Sequence, residues 1–308
     1  MIFSAGLSPV WQQILEFDSL QVGEVNRARS AHWCASGKVL NVAIAAKGLG
    51  EKTSLLSMIG GLNGEAIAAE LAAQEILTDW LHVETPTRVC TTILDQSGVT
   101  TELVENVSDV ESSVLDEFVD RFRIHSQVAE VTVLTGSIPA NAPEDYYARL
   151  IRNVPSRFLL DIRGDGLLQT LPFCPFLIKP NREELEATVQ SSLPDEASVV
   201  QAMQSLNRMG AQWVVVSNGP ESTLVTSLDG TWRLQPPQVD LVNPIGCGDS
   251  LAAGIAVGVS RGDEVLDAVR LGMGAAAQNA QSLFPARVSL EVTAEFAQKV
   301  QIESIEEA

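Results

Sequence analysis

The sequence predicts an α/β fold: a largely parallel central sheet with helices on both faces, plus a small β-sheet beside it. Three observations carry this. Short apolar, β-rich runs alternate with longer runs of helical periodicity, which implies crossover connections and hence a parallel sheet. Two regions, approximately residues 9–35 and 86–105, break that alternation and read as short strands joined by turns. The composition, 45% hydrophobic and 19% charged residues, forms a core despite a formal net charge of −19 over 308 residues.

Along the chain, strands are expected at Ser54–Ile59, Val131–Thr135, Phe158–Ile162, Phe176–Lys179, Trp213–Ser217 and Thr223–Ser227. Helices are expected at Gly64–Leu77, Pro143–Asn153, Ala197–Met209, Ser250–Ser260 and Asp263–Ala280. In Ser250–Ser260, Leu251, Ile255 and Val259 fall at i, i+4 and i+8, on one helix face. Thr87–Leu94 and Val99–Glu105 flank Asp95-Gln96-Ser97-Gly98, a hairpin signal. A small sheet beside a large α/β body suits a lid over a cleft. Ligands of parallel sheets sit at the carboxyl ends of the strands. The chain reads as one domain, 1–308, whose lid segments are residues 9–35 and 86–105. The tail with Glu303, Glu306 and Glu307 reads as a frayed acidic end.

The acidic balance argues against a nucleic-acid partner held by phosphate neutralisation and against a basic membrane-surface protein. No run reaches the roughly 18 apolar residues a spanning helix needs. The N-terminal MIFSAGLSPVWQQ lacks the basic segment of a signal peptide. Cys34, Cys90, Cys174 and Cys247 show no metal spacing and read as reduced thiols of a cytoplasmic protein. His32, His82 and His125 are scattered and form no ligand pair.

The segment with the most chemistry is Asn243-Pro244-Ile245-Gly246-Cys247-Gly248-Asp249-Ser250. It follows a strand-like run, Gln238–Val242, and opens a helix of small residues. Two glycines around a small residue let backbone N–H groups converge at a helix N-terminus, which makes an anion hole. A carboxylate beside an anion site repels phosphate, so Asp249 makes sense as the base for a hydroxyl attacking that phosphate. The alternative is a plain helix-capping aspartate after a glycine turn.

This segment resembles the GAGD signature of the ribokinase-like (phosphofructokinase-B type) sugar kinases. Gly23-Glu24-Val25-Asn26-Arg27 and Ser36-Gly37-Lys38-Val39-Leu40-Asn41-Val42-Ala43 resemble the family's N-terminal signature. Thr135-Gly136-Ser137-Ile138-Pro139 is similar to its S-G-S-L-P, Lys179-Pro180-Asn181-Arg182-Glu183-Glu184 to its K-P-N-x-x-E, and Val214–Gly219 to its V-x-S-x-G. These fall in family order across nearly the whole chain. The likeness is greatest to the 1-phosphofructokinase and tagatose-6-phosphate kinase branch.

The resemblance implies a ribokinase-like fold and ATP-dependent phosphoryl transfer, assisted by Mg²⁺, to a hydroxyl of a sugar phosphate such as fructose 1-phosphate or tagatose 6-phosphate. Asp249 would be the base, with Gly246, Cys247 and Gly248 supplying the anion hole. Lys179, Asn181 and Glu184 would border the triphosphate, Glu184 reaching Mg²⁺ through water. An N-cap with a first-turn glutamate is a role that can coexist with this one. Gly37, Lys38, Asn41 and Arg88 would hold the sugar and its phosphate, with Gln12 standing near the family's sugar-binding aspartate. Ser217 and Gly219 would border the nucleotide, and Ala276, Ala277 and Asn279 the adenine, although an alanine stripe also suits plain helix packing. Apolar Val10, Trp11, Ile14 and Phe17 suggest a homodimer through the lid.

Departures from the family pattern gather on the expected sugar side: Gln12, Val39, and Cys90, Thr92 and Val104 in place of polar or cationic residues. Two other readings therefore stay open, a kinase of an unphosphorylated sugar or nucleoside and a nucleotide-binding regulatory pseudokinase.

Overall fold

The computed structural model describes residues 1–305. Its strands are β1 (Ile2–Ala5), β2 (Val10–Phe17), β3 (Ser30–Ser36), β4 (Thr53–Ile59), β5 (Leu77–His82), β6 (Val89–Asp95), β7 (Thr100–Val104), β8 (Val131–Thr135), β9 (Arg157–Asp161), β10 (Leu177–Ile178), β11 (Trp213–Val216), β12 (Thr223–Ser227), β13 (Gly230–Gln235) and β14 (Gln301–Ser304). Its helices are α1 (Lys38–Gly48), α2 (Gly61–Ala73), α3 (Ser112–Val128), α4 (Tyr146–Ile151), α5 (Asp165–Leu168), α6 (Arg182–Val189), α7 (Glu196–Met209), α8 (Cys247–Arg261), α9 (Val265–Ala280) and α10 (Leu290–Ala297).

Ten strands form one sheet in the order β14-β13-β12-β11-β10-β9-β8-β1-β4-β5, and four form a second in the order β3-β2-β6-β7. From β11 to β5 the large sheet is parallel, while β12, β13 and β14 close one edge antiparallel. Side chains alternate across its strands, and so do the two cores. Ile2, Leu55, Val133 and Val215 pack with residues of α1, α8 and α9. Phe3, Leu56, Leu134 and Val216 pack on the other face with residues of α3, α4 and α7. This is the expected α/β class with its small second sheet. Among the described residues no helix is long and apolar enough to cross a membrane.

The expected strands are present with ends moved by a residue or so, and the expected hairpin closes through Asp95–Gly98 with Gly98 at φ +84°. The differences have local causes. The helix expected at Gly64–Leu77 starts at Gly61 and ends at Ala73, because Glu75 turns left-handed at φ +54° and Leu77 opens the edge strand β5. Pro143–Asn153 shortens to α4, with Asn153 at φ +61°. Gln238–Val242 forms no strand: it follows Pro236-Pro237 and runs along a cleft instead of a sheet edge. Glu303, expected in a frayed tail, lies in β14 and pairs with Arg233 at 2.7 Å. Glu306 and Glu307 lie outside the described residues.

Lys38 opens α1, a helix not among those expected, whose residues Val39 to Ala46 are all buried. A helix wrapped in protein shows no apolar stripe, so its period is invisible in sequence. Val39 is therefore a core residue and not part of the sugar side. Of the apolar residues expected on an open lid face, Val10, Ile14 and Phe17 are buried, and Trp11 stacks on Trp33. The exposed apolar side chains of the small sheet are Trp33, Leu103 and Val104.

Candidate active site

The carboxyl ends of the parallel strands converge on one edge of the large sheet, and the small sheet faces them across a cleft of about 740 Å³. Thr135 ends β8, Asp161 ends β9, Lys179 follows β10 and Ser217 follows β11. Each is placed there by the register of a parallel strand, so their mutual distances are set by the sheet.

Helix α8 brings the acid. Gly246 at φ +84° turns the chain into the helix, a conformation open to glycine at little cost. The helix stays in place because Gly254 meets Gly272 of α9 so closely that a Cβ on Gly254 would lie 2.4 Å from the Gly272 Cα. Asp249 thus sits in the first turn, 7% exposed. Asn41 Nδ2 donates to Asp249 Oδ2 at 2.7 Å, and Ser36 Oγ donates to Asn41 Oδ1 at 3.1 Å. Burial, reinforced by the Asp161 carboxylate, raises the Asp249 carboxyl above its ordinary value, against the opposing pull of Lys38, Asn41 and Lys179. Asn41, expected on a sugar hydroxyl, spends its amide on this acid.

The backbone N–H groups of Gly246, Gly248 and Asp249 find no acceptor among the described residues. The Cys247 N–H, expected among these donors, turns back to the Pro244 carbonyl at 3.2 Å. Asn279 does not line the cleft. It is fully buried, and its amide ties the loop from beneath, donating to Ile245 O at 2.9 Å and Cys247 Sγ at 3.2 Å and accepting from Ser250 Oγ and Ala286 N. Met273, Ala276, Ala277, Ser217 and Gly219 do line the cleft, at its far end.

Between the two ends runs an ion network. Lys179 and Asp161, both buried, pair at 3.2 Å, and Thr135 Oγ1 donates to Asp161 Oδ2 at 3.2 Å. Burial would raise the Asp161 carboxyl, but Lys179, then Lys38, hold it below the ordinary aspartate range. Lys38 Nζ lies 3.0 Å from Glu184 Oε1 and 3.5 Å from Asp161 Oδ1. Burial pulls the Lys38 ammonium down, and the carboxylates of Asp161, Glu184 and Asp249 outweigh it and hold it above the usual lysine range. Asn181 caps α6: its side chain accepts from Glu184 N at 2.8 Å while Glu184 Oε2 accepts from Asn181 N at 3.0 Å. The capping role expected as an alternative is therefore present.

The small sheet supplies the other end. Gln12, 3% exposed, donates through Nε2 to Thr92 Oγ1 at 2.8 Å and Cys90 O at 3.1 Å. Arg88 donates to Glu105 O at 2.8 Å and Ser8 O at 3.2 Å, and its buried Nε has no acceptor. Gly37 lets the backbone before α1 approach the Ser8 carbonyl, which a Cβ would meet at 2.9 Å.

Sequence reasoning missed Asp161 and Glu102, both of which line the cleft. An acid at the carboxyl end of a strand in a parallel sheet was the available signal for Asp161. No local signal marked Glu102, which reads as an ordinary polar residue of a hairpin.

The profile described as pfkB family carbohydrate kinase matches residues 8–287, and the chain belongs to that family. It is 29% identical over 276 residues to the 1-phosphofructokinase of Bacillus subtilis, covering 89% of this chain and 90% of that protein. Among solved structures it resembles a possible 1-phosphofructokinase of Thermotoga maritima (TM-score 0.90, 21% identity, 99% of each chain). It also resembles phosphofructokinase-2 of Escherichia coli in complex with fructose-6-phosphate (TM-score 0.88, 23% identity, 97% and 98% of the two chains).

Proposed function

We propose that this carbohydrate kinase transfers the terminal phosphoryl group of ATP to a hydroxyl of a ketohexose phosphate, fructose 1-phosphate being the first candidate and tagatose 6-phosphate a related one. The observation that carries the reading is Asp249: a buried carboxyl, raised above its ordinary value by burial, beside three unpaired backbone N–H groups at a helix N-terminus. That pairing suits a base next to a phosphoryl site.

The residues fit the groups the reaction needs. The free amides of Gly246, Gly248 and Asp249 suit phosphate oxygens, and Ala276, Ala277 and Met273 offer an apolar wall for a base. No group of three or more His, Cys, Asp or Glu among the described residues converges on a direct metal site. Glu184, at the head of α6 and lining the cleft, is the residue that would hold Mg²⁺ through water. When bound, Mg²⁺ offsets charge on the transferring phosphoryl group.

Lys38 and Arg88, both lining the cleft, hold the acceptor by its anionic group. Asp249 takes the proton of the attacking hydroxyl, and Asn41 fixes the orientation of its carboxylate. Asp161, held ionised by Lys179, keeps Lys38 charged and in place. The protein acts in the cytoplasm as a homodimer whose contact uses Trp33 and Leu103 of the small sheet. A monomer in light scattering at micromolar protein would remove that last element.

A second reading, transfer to an unphosphorylated sugar, is favoured by one observation: Thr92 stands where the resemblance places a cation. Coupled ADP-release assays with fructose, fructose 1-phosphate, fructose 6-phosphate and tagatose 6-phosphate separate the two. Nucleotide binding without turnover of any acceptor would leave the regulatory reading. Asp249→Asn is expected to lower kcat by about 10²–10⁴; unchanged turnover would dismiss Asp249 as the base.

A further inference from the structure

Glu102 is an acid turned toward the cleft that a phosphorylated acceptor must enter. Its position is not that of a loose surface side chain. Thr92 and Glu102 are cross-strand partners on β6 and β7, and Gln12 lies on the adjoining β2 with Cys90 as its partner. Gln12 Nε2 donates to Thr92 Oγ1 at 2.8 Å, and Thr92 Oγ1 donates to Glu102 Oε1 at 2.7 Å. Thr92 is fully buried, so this relay is fixed from inside the sheet. Because Gln12 uses its donor on the threonine oxygen, the threonine hydrogen is left to point at the carboxylate. The relay therefore anchors one carboxylate oxygen and leaves the other to the cleft.

The neighbouring charge works in the same direction. Arg88 is the one cation of the small sheet that lines the cleft, and the carboxylates of Glu105 and Glu102 act on it. A dianion approaching the hairpin meets Glu102 before it can use all of that guanidinium. An uncharged hydroxyl meets an acceptor already oriented to receive its hydrogen bond.

We infer that Glu102, oriented by the Gln12–Thr92 relay, is a specificity-determining residue of the acceptor site: it accepts a hydrogen bond from a neutral, hydroxyl-bearing part of the sugar and repels a phosphate lying beneath the β6–β7 hairpin. The inference rests on the kinase reading for its substrate class, and its charge component stands apart from turnover. Arg88 is left as the single phosphate anchor of this sheet, so the accepted substrate carries its phosphate at the base of the hairpin and hydroxyls under its middle.

The test uses the full-length protein and two substitutions of an exposed residue, Glu102→Gln and Glu102→Lys. Titration calorimetry with fructose 1-phosphate at low salt measures the charge effect directly. Glu102→Gln, which keeps an acceptor oxygen, is expected to tighten binding several-fold, and Glu102→Lys, which trades the acceptor for a cation beside the phosphate, by about tenfold or more, both effects shrinking in 0.5 M salt. Kinetics with MgATP should show the ratio of kcat/KM for fructose 1-phosphate over fructose rising in the same order, with the KM for ATP unchanged. Equal affinity of the three proteins for fructose 1-phosphate overturns the inference, and so does no binding to any of them. If no sugar is phosphorylated but the affinities rise as stated, the kinase reading fails while the role of Glu102 stands. Thr92→Val is a second variant: it should abolish part of the selectivity while leaving the charge in place, and an unaltered ratio would remove the relay from the account.

Discussion

The two ends of the cleft are built on different principles. At the transfer end, Asp249, Asp161, Lys179, Lys38 and Glu184 come from the first turns of helices and the carboxyl ends of parallel strands. Asp249 is held by Asn41 at 2.7 Å, and the other four are linked by ion pairs of 3.0–3.5 Å. At the acceptor end, Arg88, Glu102 and Val104 sit on or beside a hairpin whose outer strand is exposed. The first end keeps the residues of the family pattern; the second carries the departures at Cys90, Thr92 and Val104. A coupled network leaves no member free to change alone. A hairpin edge can exchange one side chain at a time with little effect on the sheet beneath. On the proposed reading, the chemistry is anchored where substitution is costly, and selectivity is placed where it is cheap.

The largest expected effect probes whether the transfer end is a catalytic device or a structural one. Asp249→Asn should reduce kcat by about 10²–10⁴ without lowering thermal stability. The reason is the direction of its shift. A carboxyl whose folded value lies above the unfolded one costs stability at every pH above the unfolded value, so a neutral replacement relieves the native state near pH 7. A fall in Tm together with the fall in kcat would make Asp249 a structural residue and dissolve the contrast between the ends.

Lys179→Met tests the opposite sign in the same network. Asp161 is held below its ordinary value, so its pairing stabilises the native state above the unfolded value and is lost as pH falls through the folded one. Removing the buried partner strands a buried carboxylate, at a cost of about 3–5 kcal/mol. Denaturant melts should show that loss near pH 7 and a smaller one as the pH approaches the acid range. An equal loss at all pH values would mean that packing, not charge, is what Lys179 supplies.

The same division explains what was legible in the sequence. Asp249, Gly246, Gly248, Lys38, Arg88, Asn181 and Glu184 could be placed together from the sequence because they fall in motifs that resemble one family's in order and spacing, and all seven line the cleft. Most of the parallel strands could be read because burial on both faces makes them continuous apolar runs. Asp161 and Glu102 could not, because their roles come from the partners that folding brings, Lys179 from the next strand and Thr92 from across the hairpin. The displacement of Asn279 from the cleft has the same origin, and Asn41, which does line the cleft, has part of its amide engaged by Asp249. An amide can serve a ligand or its own protein equally well, and only the structure shows both amides already engaged by protein groups. Edge strands such as β5 escape notice because one exposed side removes the apolar run.

Asn41 offers a moderate effect that sharpens the contrast through pH. Its amide favours the ionised form of Asp249. Asn41→Ala should therefore raise the Asp249 carboxyl further and shift the acid limb of log kcat/KM to higher pH. The wild-type limb itself should lie above the ordinary aspartate range. A flat loss at all pH values would mean that Asn41 only positions the carboxylate.

The smallest expected effect falls on the residue that looks most reactive. Cys247 lies in the anion loop, where the family pattern has alanine, and a thiol at a helix N-terminus is often activated. Here burial pushes the thiol up to about 11, with the Asn279 hydrogen bond as a partial offset, so it stays protonated near pH 7. Its N–H is committed to Pro244, which leaves the transfer chemistry to Gly246, Gly248 and Asp249. Cys247→Ala should change kcat by less than about twofold, and its stability effect should stay near 1 kcal/mol, the worth of one weak hydrogen bond to the Asn279 amide. Loss of activity on alkylation of the native enzyme, with Cys247→Ala remaining active and resistant, would reflect blockage by the added group. A tenfold loss in Cys247→Ala itself would instead make the thiol part of the transfer end, and the family's alanine could no longer serve as its equivalent.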